Sequence, residues 1–363
     1  MARASLQGLA SQIIYCPLDF RFAVKRALNR VRPALVLLME TEVWPHFLRA
    51  CHKRRIPVAI VNGRISPTSF QRYRVVRSFF SLVLNQLSLA VMQTGEDAER
   101  IRNLGIKAEI VRVSGNLKFD AKSLSSHEQS LTAEIANRFH LNRQQPVLVA
   151  ASTHAPEERV TIDAFRALLL HAASPKPRLV IAPRHPERFE EVAELLDKSG
   201  LSWSRRTGAA SQSDGACDVV LLDTVGELRS IYPLAGVVFV GGSIAKKGGH
   251  NLIEPAAEAC CVITGAHTDN FAGIVDAFAQ AGAVVQLPPL EGAAITEALS
   301  HCWRELLTDD GQRSALAARA CATVEAHRGA TARTLELIEP LINANSISAE
   351  TQVRQSCGLS LTV

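Results

Sequence analysis

Short apolar segments alternate with amphipathic segments along most of the chain. The apolar segment 237–240 lacks polar alternation, which is typical of a strand in a parallel sheet covered on both faces, and the segment 34–39 is also wholly apolar. Most such segments are followed by apolar residues at the spacing of an amphipathic helix. Strands and helices that alternate in this way predict an α/β protein built on doubly wound parallel sheets.

The same patterns give approximate bounds for the domains and their elements. The polar, interrupted residues 120–145 divide the chain, so we predict domains at 1–125 and 126–345, followed by a Ser-rich loose tail at 346–363. The predicted strands span residues 12–15, 34–39, 58–62, 90–93, 109–113, 146–151, 178–182, 219–222, 237–240, 261–264 and 283–286. The predicted helices span residues 20–29, 44–53, 69–87, 95–103, 131–139, 157–171, 187–199, 251–259, 294–307 and 311–338.

The composition indicates a folded protein with a substantial core. Of the 363 residues, 47% are apolar and 21% are charged, and this length allows two domains. The eight cysteines include no Cys-x-x-Cys pair, so we expect reduced thiols in a cytosolic compartment. We recognise no signal peptide, and no apolar run approaches the roughly 18 residues that span a bilayer.

The net charge of +5 is unevenly distributed. Residues 21–77 contain thirteen lysines and arginines but only two acidic residues, Glu40 and Glu42. Such a surface attracts anionic lipid, a phosphorylated acceptor or nucleic acid. Nucleic acid is the least favoured of the three, because aromatic residues are few (5%) and are not interleaved with the charges. A generic basic face is the alternative.

The most informative stretch is the glycine-rich loop that follows the predicted strand 237–240. Its glycines would let a ligand approach the backbone, and the next predicted helix would present free N–H groups to a phosphate. We expect Asn251 to cap that helix and Glu254 to hold a ribose diol, which indicates a nucleotide-sugar site. The alternative is an ordinary loop whose glycines only make turns. The loop glycines are Gly241, Gly242, Gly248 and Gly249.

Charged and polar residues also follow other predicted strands. Because ligands bind at the carboxyl ends of parallel strands, these groups are candidates for the same kind of site. An arginine between a strand end and a helix start suits a phosphate. We predict no metal site, since His154, His185 and His250 come from separate loops without a ligand spacing. The strand-end groups include Glu40, Arg64, Ser66, Lys118, Ser152, His154, Pro183, Arg184, Val225, Gly226 and Glu227.

Seven motifs, in this order, resemble those of the lipid A Kdo (3-deoxy-D-manno-octulosonic acid) transferases of lipopolysaccharide synthesis. The resemblance extends over nearly all of residues 15–282. It implies an α/β GT-B glycosyltransferase with two Rossmann-like domains facing a cleft, the sugar nucleotide on the C-terminal domain and the acceptor on the N-terminal one. The motifs are METEVWP (39–45), NGRIS (62–66), GNLKFD (115–120), STH with the following Glu pair (152–158), APRHPERF (182–189), DTVGEL (223–228) and FVGGSIAKKGGHNLIEPA (239–256).

The resemblance also implies substrates, location and residue roles. The donor would be CMP-Kdo and the acceptor a lipid A precursor, with inverting transfer, no metal and no cofactor, at the cytoplasmic face of the bacterial inner membrane. Glu40 and Lys118 match positions credited with stabilising the transition state. Positions matching the CMP site are Pro183, Arg184, Val225, Gly226, Glu227, Asn251, Leu252, Ile253 and Glu254. We add Arg64, Ser66, Ser152, His154 and Asn270 as further substrate-binding candidates.

One feature of the resembling family has no counterpart in these 363 residues. That family begins with a hydrophobic anchoring segment and an SVGE-like motif whose glutamate serves as general base. We therefore expect an incomplete N-terminal domain with uncovered apolar surface, and an electrostatic role for Glu40 rather than a role as base. Two alternatives stay open: another GT-B nucleotide-sugar transferase or epimerase, and an inactive remnant that only binds nucleotide or lipid.

Overall fold

A computed structural model describes residues 8–120, 123–142, 145–171 and 175–356, with side chains as far as residue 343. The chain forms two compact units. The first comprises Met1–Asp120 together with Arg328–Val363, and the second comprises Ala121–His327. Each unit contains one sheet in which all the paired strands are parallel, which confirms the predicted α/β class.

The first unit has a four-stranded sheet in which every strand pairs with its neighbour in sequence. Its core is apolar and includes Leu48, Ile60 and Met92, none of them accessible to solvent. The strands are β1 (Val36–Met39), β2 (Val58–Gly63), β3 (Leu89–Met92) and β4 (Val111–Val113). The helices are α1 (Arg21–Val31), α2 (Pro45–Lys53), α3 (Pro67–Val75), α4 (Arg77–Leu84) and α5 (Gly95–Asn103).

Two predicted elements of this unit were wrong. Residues 12–15 do not form a strand, and Tyr15 is 98% exposed. The single helix predicted for residues 69–87 is two helices, α3 and α4, because the backbone leaves helical geometry at Val76 (φ −109°, ψ 30°). On the edge strand β1, Leu37 and Met39 are about half exposed, so one face of this strand is uncovered within the unit.

The second unit has a seven-stranded sheet in the order β11-β10-β9-β5-β6-β8-β7. Its central strands are almost entirely buried beneath helices on both faces, as the unbroken apolar segments predict. The strands are β5 (Val147–Thr153), β6 (Arg178–Pro183), β7 (Trp203–Arg205), β8 (Val219–Leu221), β9 (Val237–Val240), β10 (Cys261–Thr264) and β11 (Val285–Gln286). The helices are α6 (Ser126–Phe139), α7 (Glu157–Leu169), α8 (Phe189–Asp197), α9 (Leu228–Ile231), α10 (Ile253–Ala257), α11 (Ala272–Gln280), α12 (Gly292–Thr308) and α13 (Asp310–His327).

The last helix, α14 (Ala330–Ser356), returns to the first unit. Its Ile338 packs among residues of β2 and β3, and Arg333 Nε donates to the Ser114 carbonyl oxygen at 2.8 Å. Asp120 accepts hydrogen bonds from the amides of Gly329 (2.6 Å) and Thr331 (2.5 Å) at the start of the helix.

These contacts change the expected domain limits. The second unit ends at His327, not at residue 345, because the chain turns at Gly329 (φ +87°) and α14 buries its apolar face on the first sheet. The expected loose tail, residues 346–363, is helical as far as Ser356, and residues 357–363 lie outside the described part. In the described residues, no helix is both long and apolar enough to cross a bilayer.

Candidate functional site

In the first unit, the carboxyl ends of the strands bring Glu40 and Lys118 together. Glu40 follows β1 in a left-handed conformation (φ +57°), and its amide donates to the Val61 carbonyl at 2.9 Å. Lys118 lies in a short 3-10 helix after β4, with its Nζ 3.6 Å from Glu40 Oε1. Both side chains are about half exposed, so the pair contributes little to stability. The Glu40–Lys118 pair lies at the rim formed by the carboxyl ends of the strands, where ligands bind in parallel sheets.

Buried side chains fix the loops that carry this pair. Asn62 is buried and left-handed (φ +54°), and its Oδ1 accepts the Leu117 amide at 3.0 Å. Gln93 Nε2 donates to the Asn62 carbonyl at 2.9 Å. The Thr41 hydroxyl bonds to the Arg64 backbone at both its carbonyl and its amide. Thus the loops after β1, β2 and β4 are tied together by uncharged hydrogen bonds.

Arg64 and Ser66 occupy the loop between β2 and α3. Ser66 caps α3, because its Oγ accepts the Ser69 amide at 3.1 Å. The intervening Ile65 amide donates to the buried carboxylate of Asp97 at 2.8 Å. The structure therefore assigns Ser66 a capping contact, while the half-buried Arg64 is held at the rim by its backbone.

In the second unit, the glycine-rich loop wraps around the carboxylate of Glu157. This residue opens α7 and is completely buried. Its Oε2 accepts from the amides of Gly242 (2.7 Å) and His154 (2.9 Å). Its Oε1 accepts from the amides of Ser243 (3.0 Å), Ile244 (2.8 Å) and Ala245 (3.1 Å). Burial raises the pKa of Glu157, and the donated hydrogen bonds oppose that rise.

Glu157 is the internal partner of the first half of this loop. Successive backbone amides in such a turn form a concave anion site. A side-chain carboxylate of the protein fills that site between Gly242 and Ala245. The approach of a ligand to the glycine-rich loop stays a prediction, and the half around Gly248 and Gly249 is the part that Glu157 does not occupy.

Gly241 is required because the backbone at the end of β5 and the carboxylate of Glu157 lie directly against it. A Cβ at this position would lie 2.7 Å from the Ser152 carbonyl oxygen and 2.8 Å from both Thr153 Cα and Glu157 Oε2. We expect Gly241→Ala to lower the free energy of unfolding by about 1–3 kcal/mol, since the backbone cannot move aside. Urea titration followed by fluorescence measures this. Gly273→Ala is the control: nothing lies within 4 Å of its Cβ, and stability should stay equal or rise by up to about 1 kcal/mol. Equal effects of the two changes would contradict this explanation.

Three histidines gather where β5, β6 and β9 end. His154 Nε2 and His250 Nε2 are 2.9 Å apart and their rings stack at 5.1 Å. The His185 ring meets the His154 ring edge-on, also at 5.1 Å. No set of His, Cys, Asp and Glu side chains in the described part of the chain is arranged to hold a metal ion.

The two stacked histidines are held uncharged by their surroundings. Burial lowers the pKa of His250 to about 4, and repulsion from His154, Arg184 and His185 adds to this effect. The pKa of His154 is also lowered, first by burial and then by His185, Lys247 and the nearby arginines. With both rings neutral at pH 7, one Nε2–H donates to the other Nε2. The surroundings are cationic, so a bound anion would find both charge and N–H donors.

Acidification from about pH 6.5 towards pH 4 should lower the free energy of unfolding of this unit. His250 has a folded-state pKa below its unfolded value, so its contribution is present above pH 6.5 and is lost as the pH falls through that range. His250→Gln should remove the uptake of about one proton from the pH dependence of the urea midpoint. His301→Gln, which changes an exposed histidine, should leave that dependence unaltered. A pH slope unchanged by His250→Gln would refute this account.

Arg184 and Arg188 follow β6 but have different surroundings. Arg188 donates to the buried carboxylate of Glu158, with its NH2 3.1 Å from Oε2, and to Glu191 at 2.8 Å. Arg184 is exposed, and no carboxylate in the described part of the chain pairs with its side chain. Its amide donates to the Thr153 carbonyl at 2.9 Å, which places it beside the histidines. Pro183 is buried and pairs with Thr153 in the sheet. Arg184 is therefore a cation at the end of β6 that is available to a ligand.

The Val225–Gly226–Glu227 turn offers backbone rather than side-chain groups. Glu227 is engaged by Arg206 Nε at 2.8 Å and by the Thr224 hydroxyl at 3.0 Å. Val225 is 66% exposed, and Gly226 is left-handed (φ +94°) with open space around it. Among the described residues, no protein group accepts from the amides of Val225 and Gly226. These two amides can therefore donate to a ligand.

The segment Asn251–Glu254 differs from its prediction. Helix α10 begins at Ile253 and has only five residues, so Asn251 is not its N-cap residue. Asn251 Oδ1 nevertheless accepts the Ile253 amide at 3.1 Å, and its Nδ2 donates to Glu254 Oε1 at 3.2 Å. The side chains of Leu252 and Ile253 are inaccessible to solvent, which leaves only their backbone for a ligand.

Ser152 and Asn270 have backbone-supporting contacts. Ser152 is left-handed (φ +53°), where the register of β5 against β6 shifts. Asn270 Nδ2 donates to the Lys247 carbonyl at 2.9 Å, and its amide donates to the Gly248 carbonyl at 3.0 Å. Asn270 therefore holds the second half of the glycine-rich loop.

Sequence reasoning did not select four residues that shape this site: Glu157, His185, Lys247 and His250. Glu157 belongs to the Glu pair of the fourth motif, and its predicted position at the start of a helix is the only local signal for it. His154, His185 and His250 come from separate loops, and their mutual contact depends on the strand order. No local pattern encodes that order.

Comparison with known proteins identifies the family of this chain. Residues 1–121 match the family described as 3-deoxy-D-manno-octulosonic-acid transferase (kdotransferase). The 3-deoxy-D-manno-octulosonic acid transferase of Haemophilus influenzae is 35% identical over 331 residues, which is 91% of this chain and 75% of that protein. The chain belongs to the 3-deoxy-D-manno-octulosonic acid transferase family. A protein of the same name from Bordetella pertussis is 37% identical over 90% of this chain and 74% of its own.

A solved structure gives independent support for the fold of this Kdo transferase family member. A glycosyltransferase from Rickettsia africae has a TM-score of 0.57 at 11% identity, covering 91% of this chain and 84% of its own. At that identity the likeness shows only the fold, which is the GT-B fold that the sequence resemblance implied. Family membership makes the protein a glycosyltransferase.

Proposed function

We propose that this protein transfers Kdo from CMP-Kdo to a lipid A precursor in lipopolysaccharide core biosynthesis. The observation that carries the proposal is the cationic group at the ends of β5, β6 and β9. There Arg184, with which no carboxylate of the described chain pairs, lies beside two neutral histidines and Lys247, and the carboxylate of Glu157 is buried in the loop. This combination favours an anionic phosphate ligand over a neutral one.

The chemistry of the proposed reaction uses these groups directly. Displacement of CMP from the anomeric carbon passes through an oxocarbenium-like state, and negative charge grows on the departing phosphate. Arg184 stabilises that charge as a forked cation, and the neutral His154–His250 pair supplies an N–H donor that can turn towards the phosphate. We assign an inverting, metal-independent course to this reaction.

The remaining parts of the nucleotide fit the neighbouring loops. The amides of Val225 and Gly226 are placed to donate to a base edge, as no protein group in the described chain accepts from them. Glu254, oriented by Asn251, is the candidate for the ribose diol. Pro183, Leu252, Ile253 and Glu227 act through backbone position, since their side chains are buried or engaged.

Acceptor and transition-state roles are assigned to the first unit. Glu40 and Lys118 form an exposed charged pair at the strand ends and would stabilise the transition state electrostatically. Kdo has a carboxylate of its own, for which Lys118 and Arg64 are the cationic candidates. The excess of basic residues between 21 and 77 supports a phosphorylated acceptor at an anionic membrane, and we propose the cytoplasmic face of the inner membrane.

Two measurements test the proposal. A transfer assay with CMP-Kdo and a lipid A precursor should yield a Kdo-bearing product, with the same rate after chelation of divalent metals. Calorimetry should show binding of CMP and much weaker binding of UDP. Absence of transfer with intact CMP binding would leave only nucleotide binding, and a preference for UDP would indicate a different donor; either result would overturn the assignment.

Lys118→Ala should separate the transition-state role from binding. We expect kcat to fall by about 10–10²-fold, because the residue acts on charge that develops during the reaction, while CMP affinity stays within about twofold. Lys107→Ala, an exposed lysine of the same unit, is the matched control and should leave kcat unchanged. Equal loss in both variants would exclude a specific role for Lys118.

A further inference from the structure

A cationic pocket lies on the first unit, between helices α1 and α2. It has a volume of about 350 Å³ and is lined by Arg21, Val24, Lys25, His46, Arg49, Ala50, Lys53 and Arg54. That volume is within the roughly 300–1,000 Å³ of small-molecule sites. None of the described residues that line it is acidic. The lining contains none of the residues to which donor-binding or transition-state roles have been assigned.

The positive charges of this pocket are not neutralised within the described chain. Arg21 and Lys25 are one helical turn apart on α1, and Arg49 and Lys53 are one turn apart on α2. Like charges at this spacing destabilise a helix slightly, so each helix carries an unfavourable pair on the face that lines the pocket. No carboxylate in the described ranges pairs with any of these four side chains.

The nearest acidic group is already engaged. Asp19 accepts the amides of His46 (3.0 Å) and Phe47 (2.8 Å), and its Oδ2 lies 3.3 Å from His46 Nδ1. It thereby caps the start of α2 and does not line the pocket. Arg54 NH2 donates to Asn29 Oδ1 at 2.8 Å, which ties the far ends of the two helices together. The positively charged side chains of the pocket therefore lie on two helices that are tied to each other.

We propose that this pocket binds a phosphomonoester group. A monoester carries nearly two negative charges at neutral pH and three acceptor oxygens, which matches several converging lysine and arginine donors better than a singly charged diester does. Phe20 and Phe22 flank Arg21 and are 58% and 76% exposed, so the phosphate can belong to a lipid headgroup as well as to a soluble molecule. The inference deepens the proposed function, because the pocket cations are part of the basic excess between residues 21 and 77, and it rests on that function for a lipid source of the phosphate. The binding tests below do not require transfer, so the two can fail separately.

The test compares matched charge removals on the full-length protein. Lys25→Gln/Arg49→Gln removes one pocket charge from each helix, and Arg21→Gln/Lys53→Gln removes the other two. Arg26→Gln/Arg30→Gln is the control, since it removes two exposed charges of α1 that do not line the pocket. All three double variants have the same net charge, so a non-specific loss of attraction affects them equally.

Two probes distinguish the source of the phosphate. One is glycerol 3-phosphate, a soluble phosphomonoester, measured by calorimetry. The other is phosphatidylcholine vesicles that contain phosphatidic acid, a monoester, or phosphatidylglycerol, a diester, at equal surface potential. We expect wild type and control to prefer the phosphatidic acid vesicles by about tenfold, and both pocket variants to lose that preference, because hydrogen bonds to charged groups are worth that factor each.

Each result decides the proposal. Pocket-dependent binding of phosphatidic acid supports a headgroup site, and pocket-dependent binding of glycerol 3-phosphate alone supports a site for a soluble phosphomonoester. If the pocket variants and the control lose binding equally, or if wild type treats monoester and diester vesicles alike and does not bind glycerol 3-phosphate, the proposal is overturned. Thermal unfolding of every variant shows whether the fold is retained, and the two pocket variants serve as replicates should one of them unfold.

Discussion

Replacing Arg184 by alanine should lower kcat/KM for Kdo transfer by about 10²–10³-fold, the usual loss when one donor to developing charge is removed. The side chain is exposed at the end of β6 beside the histidine pair, and no carboxylate of the described chain competes for it. Its guanidinium would contact the phosphate that leaves. Arg184→Lys should recover part of the activity, since it keeps the charge but loses the forked geometry.

The control for Arg184 is another exposed arginine of the same unit. Arg166 lies on α7, is 54% exposed and faces Asp163 at 3.6 Å. Arg166→Ala should leave kcat/KM within about twofold of wild type, because an exposed pair of this kind contributes little. Steady-state kinetics and CMP calorimetry measure both variants. If Arg184→Ala keeps wild-type kinetics and wild-type CMP affinity, Arg184 is not part of the donor site.

Glu157→Gln should strongly destabilise the second unit. The carboxylate accepts five backbone amides, and a glutamine would turn an NH₂ group towards some of them. We expect the free energy of unfolding to fall by about 3 kcal/mol or more, as hydrogen bonds to a buried charge are lost and amide donors are left unpaired. The loop that positions His250 should lose its order, and CMP affinity should fall with it.

Urea unfolding of the full chain measures this effect. Trp44→Phe in the background leaves Trp203 and Trp303, which both belong to the second unit, as the fluorescent reporters. Glu194→Gln is the matched control, because Glu194 is 69% exposed and forms only an i,i+4 pair with Lys198. It should cost no more than about 0.5 kcal/mol. A similar, small loss in Glu157→Gln would show that the loop does not depend on the carboxylate.

Local sequence patterns correctly predicted those helices and strands that bury one or both of their faces. The strand Val237–Val240 and the helix Gly95–Asn103 begin and end at the predicted residues. Both depend on short-range properties, namely an unbroken apolar run and a capping Thr94 before an amphipathic turn. In contrast, β7 was missed because Trp203–Arg205 is a short, half-buried edge strand without an apolar pattern. The single helix predicted for residues 311–338 was also wrong. The chain leaves helical geometry near Gly329, and this lone glycine is the only local sign of the break.

The candidate site was predicted as a set of positions but not as a set of contacts. Strand-end location selected Glu40, Lys118, Arg184 and His154, because the carboxyl ends of parallel strands are recognisable from the alternation of elements. The contact between His154 and His250 joins residues 96 positions apart, and it follows from β9 pairing with β5. A sequence pattern of a few residues contains no information on that pairing.

By itself the sequence determined the α/β class, the strand ends that carry charge and, through its motifs, the Kdo transferase family. The tertiary structure decided which anion the glycine-rich loop holds, since Glu157 reaches amides 86 positions away. It also decided that α14 belongs to the first unit, where Thr334 meets Ser114 across 220 positions. The physical reason is that burial periodicity is local, whereas the partners of a buried carboxylate or an apolar helix face are fixed only when distant segments pack together.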